Sequence, residues 1–203
     1  EPDPTAALLH SNIAKLSSAN TYTVSTGQQL HLFAGPAFVL YKALATIRLA
    51  EDYKKKFPGN EFIPVYWLAS EDHDIDEIRD NVIFNKNFRW NTLQTGPCGR
   101  FSVGEVPALL DEMLSTLTLS VSGETLLKQF REIYSSSSSL SEATIRCMHM
   151  LFGTYGLICI DADRPAFKAL FRDVMRKDIL ERACLPVFED FSARLESAGF
   201  SRQ

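Results

Sequence analysis

The chain has 203 residues, of which 45% are hydrophobic and 23% are charged, and its net charge is −4. This composition is typical of an ordinary globular protein. The densest basic tract, Lys54-Lys55-Lys56, falls where a helix is predicted to end, and cations at that position complement the helix dipole. Without a basic face, duplex nucleic acid is not expected as a partner. No apolar run approaches the roughly 18 to 20 residues of a membrane helix, so no membrane partner is expected either.

The cysteines of the chain are spread without a CxxC spacing, at Cys98, Cys147, Cys159 and Cys184. Four cysteines in a chain of this length predict reduced thiols in a cytoplasmic protein, and their spacing does not favour a zinc site. The chain begins without Met and stops directly after a helical pattern, so we expect a piece of a longer protein.

The first third of the chain predicts a helix, a strand, a long helix and a second strand, at Ala6–Ser18, Thr21–Ser25, Ala37–Phe57 and Phe62–Ala69. A polar, glycine-bearing break is predicted directly after the first strand. The second strand is a continuous apolar run, which is typical of a strand covered on both faces in a parallel sheet. Strand, helix and strand therefore form one βαβ unit with a right-handed crossover.

The remaining elements are predicted as one or two edge strands, an inserted helical stretch, a helix, a short buried strand and two final helices. Ser139 precedes Glu142 by three residues, which is the spacing of a capping box at the start of a helix. The predicted ranges are Val82–Leu93, residues 103–140, Ser141–Phe152, Gly156–Asp161, Pro165 to about Cys184, and the residues after Pro186. The pattern predicts an α/β fold with a parallel sheet.

The first candidate site is the segment Thr26 to Pro36, which leads from the first strand into a helix. Ligands of open parallel sheets bind outside the carboxyl ends of strands, and a helix N-terminus offers N–H groups to an anion. Gly27 and Gly35 would let the backbone approach a phosphate, and Gln28 and Gln29 supply neutral donors and acceptors. The segment matches neither GxGxxG nor a P-loop, so an ordinary turn remains the alternative.

The second candidate site is Glu71-Asp72-His73-Asp74, directly after the second strand. Three carboxylates around a histidine could orient a substrate amine, tune the histidine as an acid or base, or hold a metal ion. The alternative is a solvated helix N-terminus, which Asp76 and Glu77 also favour. We expect this acidic segment and the first candidate loop to lie side by side on one edge of the sheet.

Two other polar residues are weighed against ordinary structural roles. Lys42 lies about two turns into the first long helix and could reach back toward a phosphate, or it could be solvated surface. His31 could be catalytic, although loop and packing histidines are more common.

Three blocks of sequence carry a resemblance to a known family. They are Thr26-Gly27-Gln28-Gln29 with Phe33, Gly35-Pro36 and Tyr41-Lys42; Pro64 to Asp74; and Tyr134-Ser135 through Glu142-Ala143 and Leu151-Phe152-Gly153 to Asp161. Together they resemble the bacillithiol-synthesis cysteine-adding enzymes. In one respect the chain departs from that pattern, because His31 stands where a small residue is expected after Gln-Gln-x.

The resemblance implies a Rossmann-like sheet similar to class I aminoacyl-tRNA synthetases, with a helical insertion. It implies residues 1–102 as the first half of the nucleotide-binding core, 103–140 as a connecting insertion, and 141–203 as a return to the core and the start of a further helical segment. The second half of the fold and a coiled coil would lie outside this truncated chain. The piece alone is therefore expected to be inactive, and the full-length protein could be a homodimer.

The resemblance also implies a ligase that joins L-cysteine to glucosaminyl malate to form bacillithiol, using ATP and Mg²⁺ to activate the cysteine carboxylate as an adenylate. Thr26, Gly27, Gln28, Gln29, Gly35, Pro36, Lys42 and Glu71 would then bind nucleotide or substrate, and Asp72, His73 and Asp74 would be catalytic. Two alternatives remain open on the residues alone. One is a non-catalytic nucleotide- or metabolite-binding module, and the other is a metal-dependent hydrolase that uses Glu71 to Asp74.

Overall fold

The computed structural model describes residues 4–201, with side chains described from Ala7 onward. The elements of this part, in chain order, are α1 (Pro4–Lys15), β1 (Thr21–Gln29), α2 (Ala37–Lys56), β2 (Glu61–Ala69), α3 (Asp76–Arg79), β3 (Asp80–Ile83), β4 (Lys86–Arg89), α4 (Val106–Thr116), α5 (Val121–Ser135), α6 (Leu140–Phe152), β5 (Ile158–Asp161), α7 (Pro165–Glu181) and α8 (Leu185–Ser197). Short 3-10 turns cover Leu32–Ala34, Cys98–Arg100 and Gly153–Tyr155.

Within residues 4–201, the main sheet has the strand order β1-β2-β5, and both pairs of neighbours are parallel. The register runs from Thr21 opposite Glu61 to Gln29 opposite Ala69, and Asp161 of β5 lies opposite Leu68. The three strands therefore end at one edge of the sheet, which we call the carboxyl edge. The predicted α/β class with a parallel sheet is confirmed.

The predicted break at Thr26 to Gln29 is wrong, because these four residues are the last four of β1. Each pairs in register with a residue of β2 from Tyr66 to Ala69, so their backbone groups belong to the ladder whatever their side chains are. Polar side chains are tolerated here because, among the described strands, β1 is at the margin of the sheet and only partly buried. The connection to α2 is consequently shorter than predicted and covers residues 30–36.

The predicted edge strands of Val82–Leu93 form a separate hairpin and do not extend the main sheet. β3 and β4 pair antiparallel around Phe84 and Asn85, whose φ angles are 49° and 61°. Two consecutive left-handed residues are typical of the two-residue turns that join twisted hairpin strands.

The principal core joins the sheet to the helices of the predicted insertion. Tyr66 and Leu68 of β2 belong to the same buried cluster as Leu110 of α4 and Tyr134 of α5. Helix α6 begins as its capping-box spacing predicts, since the Ser139 hydroxyl accepts a hydrogen bond from the Glu142 amide at 3.2 Å. The helices of residues 103–140 thus contribute to the core that supports the sheet.

The chain divides into two compact units, one ending at Asp163 and the other beginning at Arg164. The second unit consists of α7 and α8, and large apolar side chains such as Leu170 and Ile179 are exposed on it. None of the described helices combines the length and apolarity that crossing a bilayer requires. The division into functional parts at residues 102/103 and 140/141 stays a prediction.

Candidate functional site

The carboxyl edge brings the two predicted site segments together. Gln28 and Gln29 end β1 opposite Leu68 and Ala69, and β2 continues directly into Ser70 and Glu71. The expectation that the glutamine-bearing segment and the acidic segment share one edge of the sheet agrees with this register. Parallel strands place the ligand sites of open α/β sheets at this same edge.

Lys42 reaches back from α2 to the end of β1. Its Nζ donates a hydrogen bond to Gln28 Oε1 at 2.9 Å and a longer one to the Gly27 carbonyl at 3.4 Å. The ammonium also lies 5.5 Å from the centre of the Phe38 ring. Lys42 is exposed, so a positive charge is held at the carboxyl edge while remaining open to a ligand.

Gln29 connects β1 to Glu77, which the sequence analysis had treated only as part of a solvated helix N-terminus. Its side-chain amide donates a hydrogen bond to the Glu77 carboxylate of α3.

Burial lowers the pKa of His31, and the negative charge of Glu77 acts in the opposite direction. Its Nε2 is buried and has no hydrogen-bond partner in the described part of the chain. His31 is therefore expected to be a neutral imidazole at pH 7.

The connection between β1 and α2 contains three successive residues in the left-handed region. The φ angles are 57° at Phe33, 63° at Ala34 and 73° at Gly35. Such angles are uncommon for residues with a Cβ, and they persist when the surrounding structure fixes them. Here the Phe33 amide donates to the Tyr134 hydroxyl at 3.0 Å, and the Gly35 amide donates to the Leu32 carbonyl at 2.9 Å.

Gly35 and Pro36 lie where this connection meets α2. A Cβ on Gly35 would come within 3.0 Å of the His31 Cβ and 3.1 Å of Val39 Cγ2, so glycine suits the position sterically as well as by its φ. Pro36 precedes the first helical residue and is extended, with φ −66° and ψ 158°. It therefore caps α2, one residue before the helical turn in which it was predicted.

Replacing Tyr134 with Phe is expected to destabilise the connection between β1 and α2. Tyr134 is 1% exposed, so removing its hydroxyl leaves the Phe33 amide without its acceptor in a dry environment. The expected loss is about 1–3 kcal/mol in the free energy of unfolding, measured by urea denaturation of the full-length protein. Tyr155→Phe is the matched control, because that ring is 54% exposed. Equal stability of the two variants would contradict the assigned role.

The acidic segment lies in the turn between β2 and α3, with its backbone held and its side chains accessible. The Asp72 carbonyl accepts a hydrogen bond from the Cys98 amide at 2.7 Å, and the Asp74 amide donates to Asp72 Oδ1 at 3.2 Å. Glu71, His73 and Asp74 are exposed, and Asp72 is partly buried. The segment precedes the four-residue helix α3, whose N-cap is Ile75.

Several residues at the carboxyl edge were not identified from the sequence. Arg100 donates two hydrogen bonds to the Asp163 carboxylate, at 2.5 and 2.8 Å, and this pairing raises the pKa of Arg100. The Ser70 hydroxyl donates to the Asp161 carboxylate, which also accepts from the Asp163 amide at 3.1 Å. Because Arg100 and Asp163 are far apart in sequence, no local motif points to their pairing.

Gly99 is the other residue that sequence reasoning missed. Its amide donates to the Ser70 carbonyl at 3.0 Å, so the 3-10 turn at Cys98–Arg100 packs against the end of β2. A Cβ at this position would meet Ser141 Oγ and Ser70 Cβ at 2.5 Å and the Ser70 carbonyl oxygen at 2.8 Å. Only glycine allows the turn to approach the acidic segment this closely.

Metal binding by the acidic segment receives no support from its geometry. Among the residues that the structure describes, no group of three or more His, Cys, Asp or Glu side chains is arranged to hold a metal ion. The hydrolase alternative needed such a group at Glu71 to Asp74.

Parallel strands, the α2 crossover and polar groups at the carboxyl edge define a Rossmann-like α/β domain, the class that binds ligands outside the ends of its strands. Residues 4–203 match the sequence profile of the family described as "Bacillithiol biosynthesis BshC, N-terminal Rossmann-like domain". The chain belongs to this family.

Similar proteins from three bacteria each bear the name "Putative cysteine ligase BshC". The protein of Cytophaga hutchinsonii is 37% identical over 200 residues, which are 98% of this chain and 36% of the relative. That of Flavobacterium johnsoniae is 40% identical over 168 residues, covering 83% and 32% of the two chains. That of Christiangramia forsetii is 34% identical over 197 residues, covering 95% and 36%. The chain thus spans about a third of the length of these relatives.

Proposed function

We propose that the full-length protein is a cytoplasmic ligase that joins L-cysteine to glucosaminyl malate to form bacillithiol, with ATP as the energy source. The membership in the family and the names of the relatives support a cysteine ligase. The four cysteines, Cys98, Cys147, Cys159 and Cys184, are all unpaired thiols, which supports a reducing compartment.

The proposed reaction has two steps. A carboxylate oxygen of cysteine attacks the α-phosphorus of ATP, a new P–O bond forms, and pyrophosphate leaves. The amine nitrogen of glucosaminyl malate then attacks the activated carbonyl carbon, a C–N bond forms, AMP leaves, and the nitrogen loses a proton. The second step needs a base near the amine and a site that holds the anionic adenylate.

The single observation that carries this proposal is the shared carboxyl edge of Gln28-Gln29 and the segment after β2. Lys42 supplies a cation there, 2.9 Å from Gln28 Oε1, and it would pair with nucleotide phosphates. Thr26, Gly27, Gln28, Gln29, Gly35 and Pro36 are proposed to form the adjoining wall for nucleotide and substrate.

The acidic segment is proposed to face the reacting amine. Glu71 would bind the amine, and Asp72, His73 and Asp74 would accept and pass on its proton. His73 is exposed beside these carboxylates, so its imidazole is accessible to the amine of a bound substrate. Mg²⁺ usually reaches such sites with the phosphates of ATP, and the described residues do not present three preformed ligands for it.

The proposed function is tested by incubating the full-length protein with ATP, L-cysteine and glucosaminyl malate and following product by mass spectrometry. We expect bacillithiol to form together with AMP and pyrophosphate. Formation of ADP and phosphate in place of AMP and pyrophosphate would contradict the adenylate intermediate. Absence of bacillithiol with every nucleotide tried would contradict the ligase function.

Replacing Lys42 with Met is expected to weaken ATP binding by the full-length protein about tenfold or more, since a charge-assisted contact to phosphate is worth about 1.5–3 kcal/mol. The methionine is an unbranched apolar replacement that removes the charge beside Gln28 and Phe38. Calorimetric titration with ATP measures the effect. Lys55→Met, on the same helix and 3.9 Å from Asp52, is the control and should bind ATP as the unaltered protein does. Equal affinities of the two variants would contradict the role of Lys42.

A further inference from the structure

One cavity of about 510 Å³ combines the size of a ligand site with a wall that carries negative charge on one part and apolar side chains on another. It lies between the connection from β1 to α2, the hairpin strand β3 and helix α5. Its volume is within the range of about 300–1,000 Å³ that is usual for small-molecule sites. The residues that carry the inference are Phe33, Glu77, Val82, Leu126 and Phe130.

Among the described lining residues of this cavity, the charged side chains are all carboxylates. Glu77 has only the neutral amide of Gln29 as a hydrogen-bond partner, and no ion pair to it occurs in the described part of the chain. Asp80 also lines the cavity, although its carboxylate is engaged by Arg89 and Asn87. None of the described lining residues is a Lys or an Arg. An anionic ligand would be repelled there, and a cation would be attracted.

The backbone of β3 also contributes to this wall. Asp80 to Ile83 line the cavity as four consecutive residues. The Trp90 amide donates to the Arg79 carbonyl, and Ile83 pairs with Lys86 beside the two-residue turn. Hydrogen-bonded pairs alternate in an antiparallel ladder, so Asp80 and Val82 direct both their N–H and their carbonyl groups to the strand edge that β4 does not use.

His31 also lines the cavity, although its Nε2 is buried and is not exposed to it. Phe33, Leu126 and Phe130 give the cavity an apolar side.

We propose that this cavity binds a small aminothiol through its primary ammonium group, with Glu77 as the counter-ion and the apolar side in contact with the methylene and thiol. The inference rests on the proposed ligase function, for which it assigns the place of cysteine. The Gln29 side chain joins Glu77 to the end of β1, so the bound amino acid lies beside the carboxyl edge. Repulsion from Glu77 turns its carboxylate away from the cavity wall.

The test is calorimetric titration of the full-length protein with L-cysteine, with cysteamine, which lacks the carboxylate, and with 3-mercaptopropionate, which lacks the amine. Glu77→Gln is expected to raise the Kd of both amines about tenfold or more. The des-amino compound should bind weakly to every variant. Val82→Trp provides a second variant, because Val82 is 69% exposed and a larger side chain there fills the cavity without entering the core. It should lower the affinity for both amines.

Glu124→Gln is the matched control, since Glu124 lies on α5, pairs with Lys128 and does not line the cavity. Three results would each overturn the assignment. The first is equal affinity for the amines in Glu77→Gln and in this control, the second is 3-mercaptopropionate binding as tightly as cysteine, and the third is no binding of either amine. If the protein forms bacillithiol but binds the amines independently of Glu77, the assignment of the cavity is overturned and the ligase function stands. If cysteamine binding depends on Glu77 but the protein forms no bacillithiol, the assignment of the cavity stands and the ligase function is overturned.

Discussion

Asp72→Asn combined with His73→Ala is expected to lower the kcat of the full-length ligase at least about 100-fold, the usual scale of a lost general base. The two side chains follow directly on β2 and stand at the carboxyl edge, where the activated carbonyl is proposed to lie. Neither substitution removes apolar contacts from the core, because His73 is exposed and Asp72 is only partly buried. The protein should therefore fold normally and bind ATP with little change.

Steady-state kinetics with saturating ATP and cysteine measure this effect, and circular dichroism verifies folding. Asp76→Asn is the matched control, because Asp76 is a nearby carboxylate with 82% of its side chain exposed, paired only with Arg79 in the described residues. It should retain activity within about twofold. Unchanged activity in the double variant would favour the alternative that this segment binds ligand or shapes the site without catalysing the reaction.

Gly99→Ala is expected to lower both the stability and the kcat of the full-length protein. The new methyl group would meet Ser70 and Ser141 at 2.5 Å, and both neighbours are buried, so the turn or the end of β2 must move. Overpacking of this kind typically costs about 1–3 kcal/mol. The shift also breaks the hydrogen bonds from Cys98 and Gly99 that hold Asp72 and Ser70, so kcat should fall together with stability.

Denaturant unfolding and kinetics of the full-length protein test this expectation. Gly104→Ala is the control in the same part of the chain, because the nearest atom to its new Cβ would be Ser102 Oγ at an ordinary 3.8 Å. Stability and kcat of Gly99→Ala equal to those of Gly104→Ala would show that the turn does not position the acidic segment.

Much of the sheet could be predicted from the sequence because its central strand is strongly patterned. The apolar run of β2 and the helical spacing of α2 identify one βαβ unit, and parallel pairing then fixes which ends of the strands meet. That is why the neighbourhood of Gln29 and Glu71 was foreseeable without any knowledge of contacts.

The remainder depends on contacts that leave no local pattern. Thr26 to Gln29 read as a break because polar residues and a glycine outweigh strand propensity when the pairing partner is unknown. Glu77 is 48 residues from Gln29 along the chain, and Arg100 is 63 residues from Asp163. Gly99 is required by the proximity of Ser70 and Ser141, which only the folded chain creates.

The most direct measurement is a crystal structure of the full-length protein with a non-hydrolysable sulfamoyl analogue of cysteinyl adenylate. We predict that the analogue lies at the carboxyl edge, with its sulfamoyl group near Lys42 and Gln28 and its cysteinyl carbonyl facing Asp72 and His73. The analogue bound at the opposite edge of the sheet, or away from both segments, would contradict the account.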